Sequence, residues 1–347
     1  ASRIQYAMHL IEDNHVGKAA RSLLQRGVHP HSDALLPQLQ CLHPPCTPDS
    51  FPPLPSAAPS VFNPDVIPKI IRLRASRGTA PGPSGWTESL LLPLLGHQDL
   101  QAPLATLLSD IALGKLCTEA RSLLCSRLIP VIKKDLGIRP VVVGEVFVRI
   151  ASLCLLKSLH RDALPTLLSP LQLGIGSPNG VESAIHTLQS HIQHNPDDVL
   201  LSLDISNGYN SIHRQHMLHT LYSTPALDIL WRLADWCYGR PSHLLLSTPH
   251  GFTTIDSTRG ARQGCVLGSL LFCLGIQSAL TDIVEDLQGL TLVAIVDDIS
   301  IAGPLDQVQV ALTRAQRLLP RLGLQLSPTK SSFLWPSPTP DSPISPP

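Results

Sequence analysis

The sequence carries no excess of charge of either sign. Lys and Arg together number 26, as do Asp and Glu, so the formal net charge of the 347-residue chain is zero. Because nucleic-acid-binding domains often carry a basic excess, the overall charge by itself argues mildly against a polynucleotide partner. A local basic surface would be enough for binding, however, so the charge does not exclude one.

Long apolar runs are missing as well. No run reaches the roughly 18 residues that a membrane-spanning helix requires. No apolar core follows a basic stretch at the start of the chain, as it would in a secretory signal. The sequence therefore predicts an intracellular protein with no membrane partner. The start also lacks an initiator Met, which predicts a fragment of a longer protein.

The eight cysteines do not form the dense pattern of a disulfide scaffold in a chain of this length. Several of them, such as Cys154 and Cys273, stand among apolar residues and are predicted to be small core residues. The hydrophobic content of 43% is enough for one large domain or two smaller ones, each with its own core.

Proline divides the chain. Prolines are concentrated in residues 44–68, which predicts an extended linker after an N-terminal helical segment, residues 1–43. They are concentrated again in residues 336–347, a tail that can pack neither as helix nor as strand and is expected to be disordered. The folded part is therefore predicted to be residues 69–335.

The folded part mixes strands and helices. The hydrophobic periodicity predicts, in chain order, a hairpin over 126–144, a helix, a strand ending at Asp204, a helix, two short strands over 242–256, a long helix over 268–287, a hairpin over 290–303, a helix and a last short strand. This order follows the split β-α-β plan, an antiparallel sheet with helices on one face. It predicts the α+β class.

Asp297 and Asp298 stand side by side in the middle of the second apolar hairpin. An isolated pair of this kind is ordinarily a polar turn. The apolar flanks, and a second strand that also ends on an aspartate, Asp204, favour carboxylates that meet at one edge of a sheet. Such carboxylates repel one another unless a cation lies between them. Oxygen ligands without nearby His or Cys favour Mg²⁺, so a turn and a magnesium site both stay open at this point.

Seven segments of the sequence follow one another in the order of a known family. They are "GPSGWT" in Ala80–Leu91, the hairpin and "RP" in Leu128–Ile150, the segment "LQLGIGSPNGVESAIHTL", motif A in Leu203–Arg214, motif B in Ala261–Ile276, motif C "AIVDDISI", and motif D in Gly323–Leu334. With these segments the chain resembles the reverse transcriptase domain of non-LTR (LINE-like) retrotransposons over residues 64–335.

The resemblance implies a right-hand polymerase, with fingers and palm in residues 69–335, a ferredoxin-like antiparallel palm sheet and helices on one face. No thumb or endonuclease motif is found in the sequence. The resemblance also implies that Asp204 and Asp297 are the main metal ligands, with Asp298 beside them and the backbone carbonyl of Ile205 completing the site. Two Mg²⁺ ions, with Mn²⁺ as a substitute, would activate a primer 3′-hydroxyl and stabilise the leaving pyrophosphate.

Further roles follow from the same motifs. Tyr209 resembles the aromatic residue beneath the sugar, which leaves no room for a 2′-hydroxyl. Gln263 and Gly264 resemble the motif B pair, in which a small residue lets the templating base pair approach. Lys330 resembles the motif D lysine, which donates a proton to the leaving pyrophosphate.

The basic residues of the first hairpin resemble those that hold the incoming triphosphate. They are Arg139 and the pair Lys133 and Lys134. A guanidinium group binds phosphate through two parallel hydrogen bonds, whereas a lysine supplies a compact point charge. The resemblance therefore implies a nucleotide-binding role for all three residues.

The implied activity is RNA-directed DNA synthesis, with an RNA template, a DNA primer and dNTPs as partners and a nuclear location; the oligomeric state stays open. Ile295 stands where the family has an aromatic residue and Cys265 where it has an acid. These departures leave an alternative, a catalytically decayed retrotransposon remnant that at most binds RNA. A viral-type RNA-dependent RNA polymerase fits less well, because Tyr209 stands where a second acid is expected. A metal-dependent phosphohydrolase leaves the first hairpin unexplained.

Overall fold

The structure is a computed structural model of the chain. It describes residues 4, 5, 7, 8, 11, 27–46 and 51–335, except for 33, 60, 77 and 134. The predicted tail, residues 336–347, lies outside the described residues, as do Lys134 and about half of the predicted segment 1–43. No helix in the described part of the chain is both long and apolar enough to cross a membrane.

The described residues form strands and helices in alternation, which is the mixed class that the sequence predicts. The α-helices are α1 (Leu35–Leu42), α2 (Ile67–Ala75), α3 (Glu88–Leu91), α4 (Gln98–Ala112), α5 (Val146–Ser158), α6 (Ala163–Leu168), α7 (Gly180–His194), α8 (Gly208–Ser211), α9 (Arg214–Tyr222), α10 (Trp231–Tyr238), α11 (Gly268–Val284) and α12 (Leu305–Leu318). Short 3-10 helices occupy Pro64–Val66, Leu92–Gly96, Glu119–Leu124, Pro225–Leu230 and Leu319–Leu322. The strands are β1 (Ser126–Ile132), β2 (Ile138–Gly144), β3 (Val199–Leu203), β4 (Ile205–Ser206), β5 (Ser242–Thr248), β6 (Gly251–Ser257), β7 (Thr291–Ile295), β8 (Asp298–Gly303), β9 (Gln325–Leu326) and β10 (Ser332–Leu334).

Four strands form an antiparallel sheet in the order β10-β3-β8-β7. Numbered by their order in the chain, β3, β7, β8 and β10 are strands 1, 2, 3 and 4 of this sheet. Their spatial order is therefore 4-1-3-2. This is the split β-α-β, ferredoxin-like arrangement, and the fold-class prediction is confirmed. Helix α7 packs against β7 and β8, and α12 packs against β3 and β8. We refer to this sheet as the palm sheet.

A second four-stranded sheet has the order β2-β1-β5-β6. The hairpin β1–β2 and the hairpin β5–β6 are antiparallel, and they join through a parallel pairing of β1 with β5. Helix α1 covers this sheet through Leu35 and Leu39, which pack with Leu128, Val142 and other strand residues in a small core. We refer to it as the fingers sheet.

The larger core surrounds α11, the long helix that the sequence predicts. Its apolar residues are buried on nearly all sides, and Phe272 and Ile276 have no exposed surface. A helix that is apolar all round belongs in an interior. It packs against α9 and α12, so the palm sheet and the helices share one continuous core.

Part of the predicted linker is attached to this core. Ala58 is buried, and Phe51 and Leu54 pack against the core residues. The guanidinium of Arg232 donates hydrogen bonds of 2.7 Å and 2.9 Å to the carbonyl oxygens of Ala58 and Pro59. The segment around Ala58 is therefore held in place, while the predicted domain boundaries stay predictions.

The helix after the hairpin β7–β8 ends before Gly323, a glycine that in the sequence alone would be expected to stop it. Helix α12 ends at Leu318, and a 3-10 helix follows up to Leu322. Pro320 has no backbone N–H to donate to the preceding turn, which favours this change. Gly323 then adopts a φ of 82°, and a side chain there would meet the guanidinium of Arg259.

Candidate active site

Three aspartates come together at one end of the palm sheet. Strands β3 and β8 are antiparallel, and their register pairs Leu203 with Ile299. Asp204, the residue after Leu203, therefore lies opposite Asp298, the residue before Ile299. Asp297 belongs to the two-residue turn that joins β7 to β8. The sequence left a polar turn and a carboxylate cluster as alternatives. In the structure the turn that contains Asp297 is part of the cluster.

The backbone around Asp204 is held by a segment far along the chain. The N–H of Asp204 donates to the hydroxyl of Ser331 at 3.1 Å, and the N–H of Ser327 donates to the carbonyl of Asp204 at 2.8 Å. The next residue, Ile205, pairs with Leu326 between β4 and β9. The segment that resembles motif D therefore sets the position of Asp204 and Ile205.

Burial and neighbouring charges raise the pKa of Asp297 and of Asp298. Burial raises the pKa of Asp297, a backbone hydrogen bond opposes this effect, and the charges of Asp298 and Asp204 raise the pKa further. For Asp298, partial burial and the charge of Asp204 raise the pKa. The charge of Arg139, on β2 of the fingers sheet, lowers both. The structure therefore brings the three carboxylates and Arg139 within electrostatic range of each other.

The aspartates supply the type of ligand that a hard divalent cation binds, but their side chains are not arranged around a metal position. No group of three or more His, Cys, Asp or Glu side chains in the described part of the chain is arranged to hold a metal ion. The carboxylates of Asp204, Asp297 and Asp298 nevertheless form a cluster of like charge, which a cation bound between them would stabilise. Their oxygen atoms are the ligands that Mg²⁺ and Mn²⁺ prefer.

In the metal-free protein we expect this cluster to lower stability as the pH rises. A raised pKa means that the folded state binds the protons of Asp297 and Asp298 more tightly than the unfolded chain does. The two protonated carboxyl groups make their full contribution to the free energy of unfolding below the pKa of about 3.9 that an aspartate has in the unfolded chain. This contribution is lost as the pH rises through the raised pKa values of the folded state. In EDTA, the melting temperature of Asp297→Asn should therefore fall less than that of the wild type between about pH 4 and pH 8.

Asp282→Asn is the matched control, because Asp282 is an exposed aspartate on α11. Its melting temperature should follow the wild-type pH profile. An Asp297→Asn profile that coincides with the wild type would contradict the inferred mutual repulsion of the carboxylates.

Tyr209 is held rigidly beside the carboxylates. Its ring stacks on Phe272 of α11, with centroids 5.2 Å apart and an angle of 14° between the planes. Its hydroxyl hydrogen-bonds the hydroxyl of Ser269 at 2.7 Å. Burial raises the pKa of Tyr209, and the charge of Asp297 raises it further. The ring is therefore fixed close to the turn, as its predicted role requires.

The basic residues of the fingers sheet lie on and beside the hairpin β1–β2. Arg139 is on β2, opposite Val131. Lys133 follows β1, and its N–H donates to the carbonyl of Gly137 at 2.8 Å, which closes the hairpin loop. Of the predicted triphosphate ligands, the structure thus brings Arg139 into electrostatic range of the aspartates and places Lys133 in the adjoining loop.

Lys330 joins the palm to the fingers. Its ammonium group lies 2.9 Å from the carboxylate of Asp135 in the hairpin loop, and about half of each side chain is exposed (50% and 51%). The bond raises the pKa of Lys330 and lowers that of Asp135. Exposed pairs of this kind contribute little to stability. The pair does, however, connect the motif D loop to the loop of the hairpin β1–β2.

Gln263 and Gly264 lie against the fingers sheet. The N–H of Val142 on β2 donates to the carbonyl of Gln263 at 2.7 Å. Gly264 has a φ of 111°, and a side chain there would collide with the carbonyl of Val142. Glycine is therefore required by this close backbone approach, while the predicted contact of the pair with a templating base pair stays a prediction.

Three residues of this region were not predicted as site residues. Ser269 holds the hydroxyl of Tyr209, Asp135 holds Lys330, and the buried Gln172 contacts the turn of Asp297. Each contact joins residues that are far apart in the sequence, so no local pattern indicates it.

The palm sheet is antiparallel and ferredoxin-like, and carboxylates lie at the end of its central strands. The sheet faces a basic hairpin. This combination is that of the palm and fingers of a nucleic-acid polymerase. Residues 131–340, more than half of the chain, match the family model described as reverse transcriptase (RNA-dependent DNA polymerase). The chain belongs to the reverse transcriptase family. The resemblance inferred from the motifs is thereby confirmed for the reverse transcriptase family, and with it the class of enzyme that the family description names.

A retrotransposon protein is among the relatives. The chain is 29% identical over 288 residues to the retrotransposable element SLACS 132 kDa protein of Trypanosoma brucei gambiense. The match covers 82% of this chain and 24% of that protein, so the chain spans about a quarter of the length of its relative. The relation to retrotransposons that the motifs indicate is supported by this match.

Solved telomerase structures from Candida tropicalis are similar at a greater distance. The apo telomerase truncated from its C-terminal domain shares 12% identity at a TM-score of 0.46, over 61% of this chain and 50% of that chain. A second apo telomerase structure shares 11% identity at a TM-score of 0.47, over 62% of this chain and 44% of that chain.

Proposed function

We propose that the chain adds dNTPs to the 3′-hydroxyl of a DNA primer on an RNA template. The observation that carries this proposal is the convergence of Asp204 with Asp297 and Asp298 at one end of the palm sheet, facing Arg139 of the fingers sheet. A cluster of carboxylates opposite a guanidinium suits a reaction that needs divalent cations at one end of a triphosphate and a cationic side chain at the other.

Reverse transcriptases generally use divalent metal ions, and here Asp204, Asp297 and Asp298 would hold them together with the carbonyl oxygen of Ile205. Two Mg²⁺ ions, or Mn²⁺ in their place, would lower the pKa of the primer hydroxyl and neutralise charge on the departing pyrophosphate. The partly buried position of Asp297 supports this role, since electrostatic interactions are stronger where less water is present.

The side chains around the carboxylates would position the nucleotide. Arg139 and Lys133 would bind phosphate oxygens, with Lys134 beside them in the sequence. The fixed ring of Tyr209 would pack against the sugar and exclude a 2′-hydroxyl. Gln263 would lie along the templating strand, because its loop is anchored to the fingers strand β2.

Extension of oligo(dT) on poly(rA) with dTTP and Mg²⁺ tests the proposal. Synthesis by the wild type that depends on Asp297 would support it. A wild-type chain that binds the RNA template but makes no DNA would instead support a catalytically decayed protein that at most binds RNA. Ile295, which pairs with Asp298 in the hairpin, is the departure from the family pattern nearest to the site.

Lys330 should contribute to the rate through its own proton and not through its ion pair. General acid catalysis by a positioned side chain contributes about 10²-fold or more, so Lys330→Gln should slow single-nucleotide incorporation to that extent. Asp135→Asn removes the partner at 2.9 Å and keeps the ammonium, so its rate should stay near that of the wild type. Rapid-quench measurement of single dTTP addition compares the two. An equal loss of rate in Lys330→Gln and Asp135→Asn would show that the rate depends on the contact between palm and fingers and not on the proton of Lys330.

A further inference from the structure

A buried glutamine outside the carboxylate cluster holds the turn that carries Asp297. Gln172 lies between α6 and α7 and has no exposed surface. Its side-chain oxygen accepts a hydrogen bond of 2.7 Å from the N–H of Val296, and its side-chain nitrogen donates one of 3.0 Å to the carbonyl of Val296. One side chain therefore satisfies both peptide groups of the first turn residue.

The backbone around Gln172 is fitted to the same turn. The N–H of Leu173 donates to the carbonyl of Ala294 at 2.8 Å, and the N–H of Ala294 donates to the carbonyl of Leu171 at 2.6 Å. The segment thus adds a short parallel bridge to the free edge of β7. A side chain at Gly174 would come within 2.7 Å of the nitrogen of Val296, so the close approach requires glycine there.

The turn needs this support because Val296 has a φ of 61°. A β-branched residue rarely adopts the left-handed region, since its side chain collides with the backbone. Two-residue hairpin turns with a positive φ at the first central position alone ordinarily place glycine there, and Asp297 at the second position has no positive φ. Such a conformation persists only where the surrounding structure holds it. Of the described side chains, Gln172 is the one that hydrogen-bonds both peptide groups of Val296.

We propose that Gln172 is a positioning residue for DNA synthesis. By holding Val296 in the left-handed conformation, it orients the carboxylates of Asp297 and Asp298 toward Asp204. Gln172 has no exposed surface and hydrogen-bonds the turn at Val296, so it acts through the turn. The inference rests on the proposed function, because the carboxylates matter only if the chain uses them as ligands.

Gln172→Met tests the inference, since methionine has a similar length and makes neither hydrogen bond. We expect kcat for dTTP addition to fall about 10- to 100-fold, because small displacements of reacting groups have effects of that order. The KM for dTTP should stay near the wild-type value, because the fingers residues are unchanged. Gln277→Met is the matched control: Gln277 is a partly buried glutamine whose side chain donates to the carbonyl of Leu168 at 3.3 Å, with no contact to the turn.

A second substitution separates positioning from general stability. Glycine adopts a positive φ without steric cost, so Val296→Gly should restore much of the kcat that Gln172→Met loses. If Gln172 only stabilised the fold, Val296→Gly would give no such rescue. The loss of kcat in the double variant would then be the sum of the losses in Gln172→Met and in Val296→Gly. An equal loss of kcat in Gln277→Met, or additive losses in the double variant, would overturn the inference.

Hydrogen exchange decides the point even without catalysis. The amide of Val296 should exchange faster in Gln172→Met than in the wild type and in Gln277→Met, while the amides of α11 stay protected. If the wild type makes no DNA, the proposed function fails, and unchanged exchange at Val296 would separately remove the holding role of Gln172. Should Gln172→Met not fold, Gln172→Glu keeps the acceptor for Val296 and receives the same measurements. This variant loses only the donor to the carbonyl of Val296, so a partial loss of kcat with a still protected Val296 amide supports the inference, and a wild-type kcat overturns it.

Discussion

Asp297→Asn should lower the rate of RNA-templated primer extension by about a thousandfold or more. Divalent ions contribute several kcal/mol of transition-state stabilisation in reactions of this kind, and each 1.4 kcal/mol corresponds to about a factor of ten. Asparagine keeps the shape of the side chain and removes the charge that would bind the ion. Asp204→Asn should lower the rate to a similar extent, because Asp204 on β3 lies opposite Asp298 on β8.

The measurement is dTTP incorporation on poly(rA) primed with oligo(dT) in Mg²⁺, with Asp282→Asn as the control. The stability of the same proteins separates lost chemistry from lost structure. Because burial and the charges of Asp298 and Asp204 raise the pKa of Asp297, Asp297→Asn should be at least as stable as the metal-free wild type near neutral pH. An inactive and stable variant therefore identifies a catalytic carboxylate. Wild-type rates in both Asp204→Asn and Asp297→Asn would end the proposed mechanism.

Tyr209→Ala should let the enzyme accept ribonucleotides. The ring of Tyr209 cannot move aside easily, since it stacks on Phe272 and its hydroxyl is bonded to Ser269. Removal of the ring opens the space that a 2′-hydroxyl would occupy. We expect the preference for dTTP over UTP, measured as the ratio of kcat/KM values, to fall by about a hundredfold, a typical scale for discrimination by a single hydroxyl group.

Two further variants define what the ring does. Tyr209→Phe keeps the ring and its stack, so it should retain the preference for dTTP. Ser269→Ala removes the hydroxyl partner at 2.7 Å and should relax the preference only slightly, because the stack on Phe272 stays in place. If Tyr209→Ala still rejects UTP, the ring does not exclude the 2′-hydroxyl, and another residue selects the sugar.

Much of the fold could be predicted because its elements are locally encoded. The apolar periodicity indicates both hairpins, the long buried helix α11 and the strand that ends at Asp204. The motif order then indicates the reverse transcriptase family, which the family match confirms. Local patterns were less informative where an element is interrupted. Helix α12 ends before Gly323 because Pro320 follows, and part of the proline-rich linker is packed at Ala58.

The sequence by itself supplied the residues that we propose for the chemistry, because carboxylate oxygens, a guanidinium and an aromatic ring belong to particular residue types. It did not determine how they are held. Gln172 contacts Val296 across 124 residues, and Lys330 contacts Asp135 across 195. Only the tertiary structure decided these contacts, because such pairings depend on how distant segments pack and leave no period in the sequence. The same reason explains the turn: a valine at a φ of 61° has no local cause, and it exists because a distant glutamine bonds both of its peptide groups.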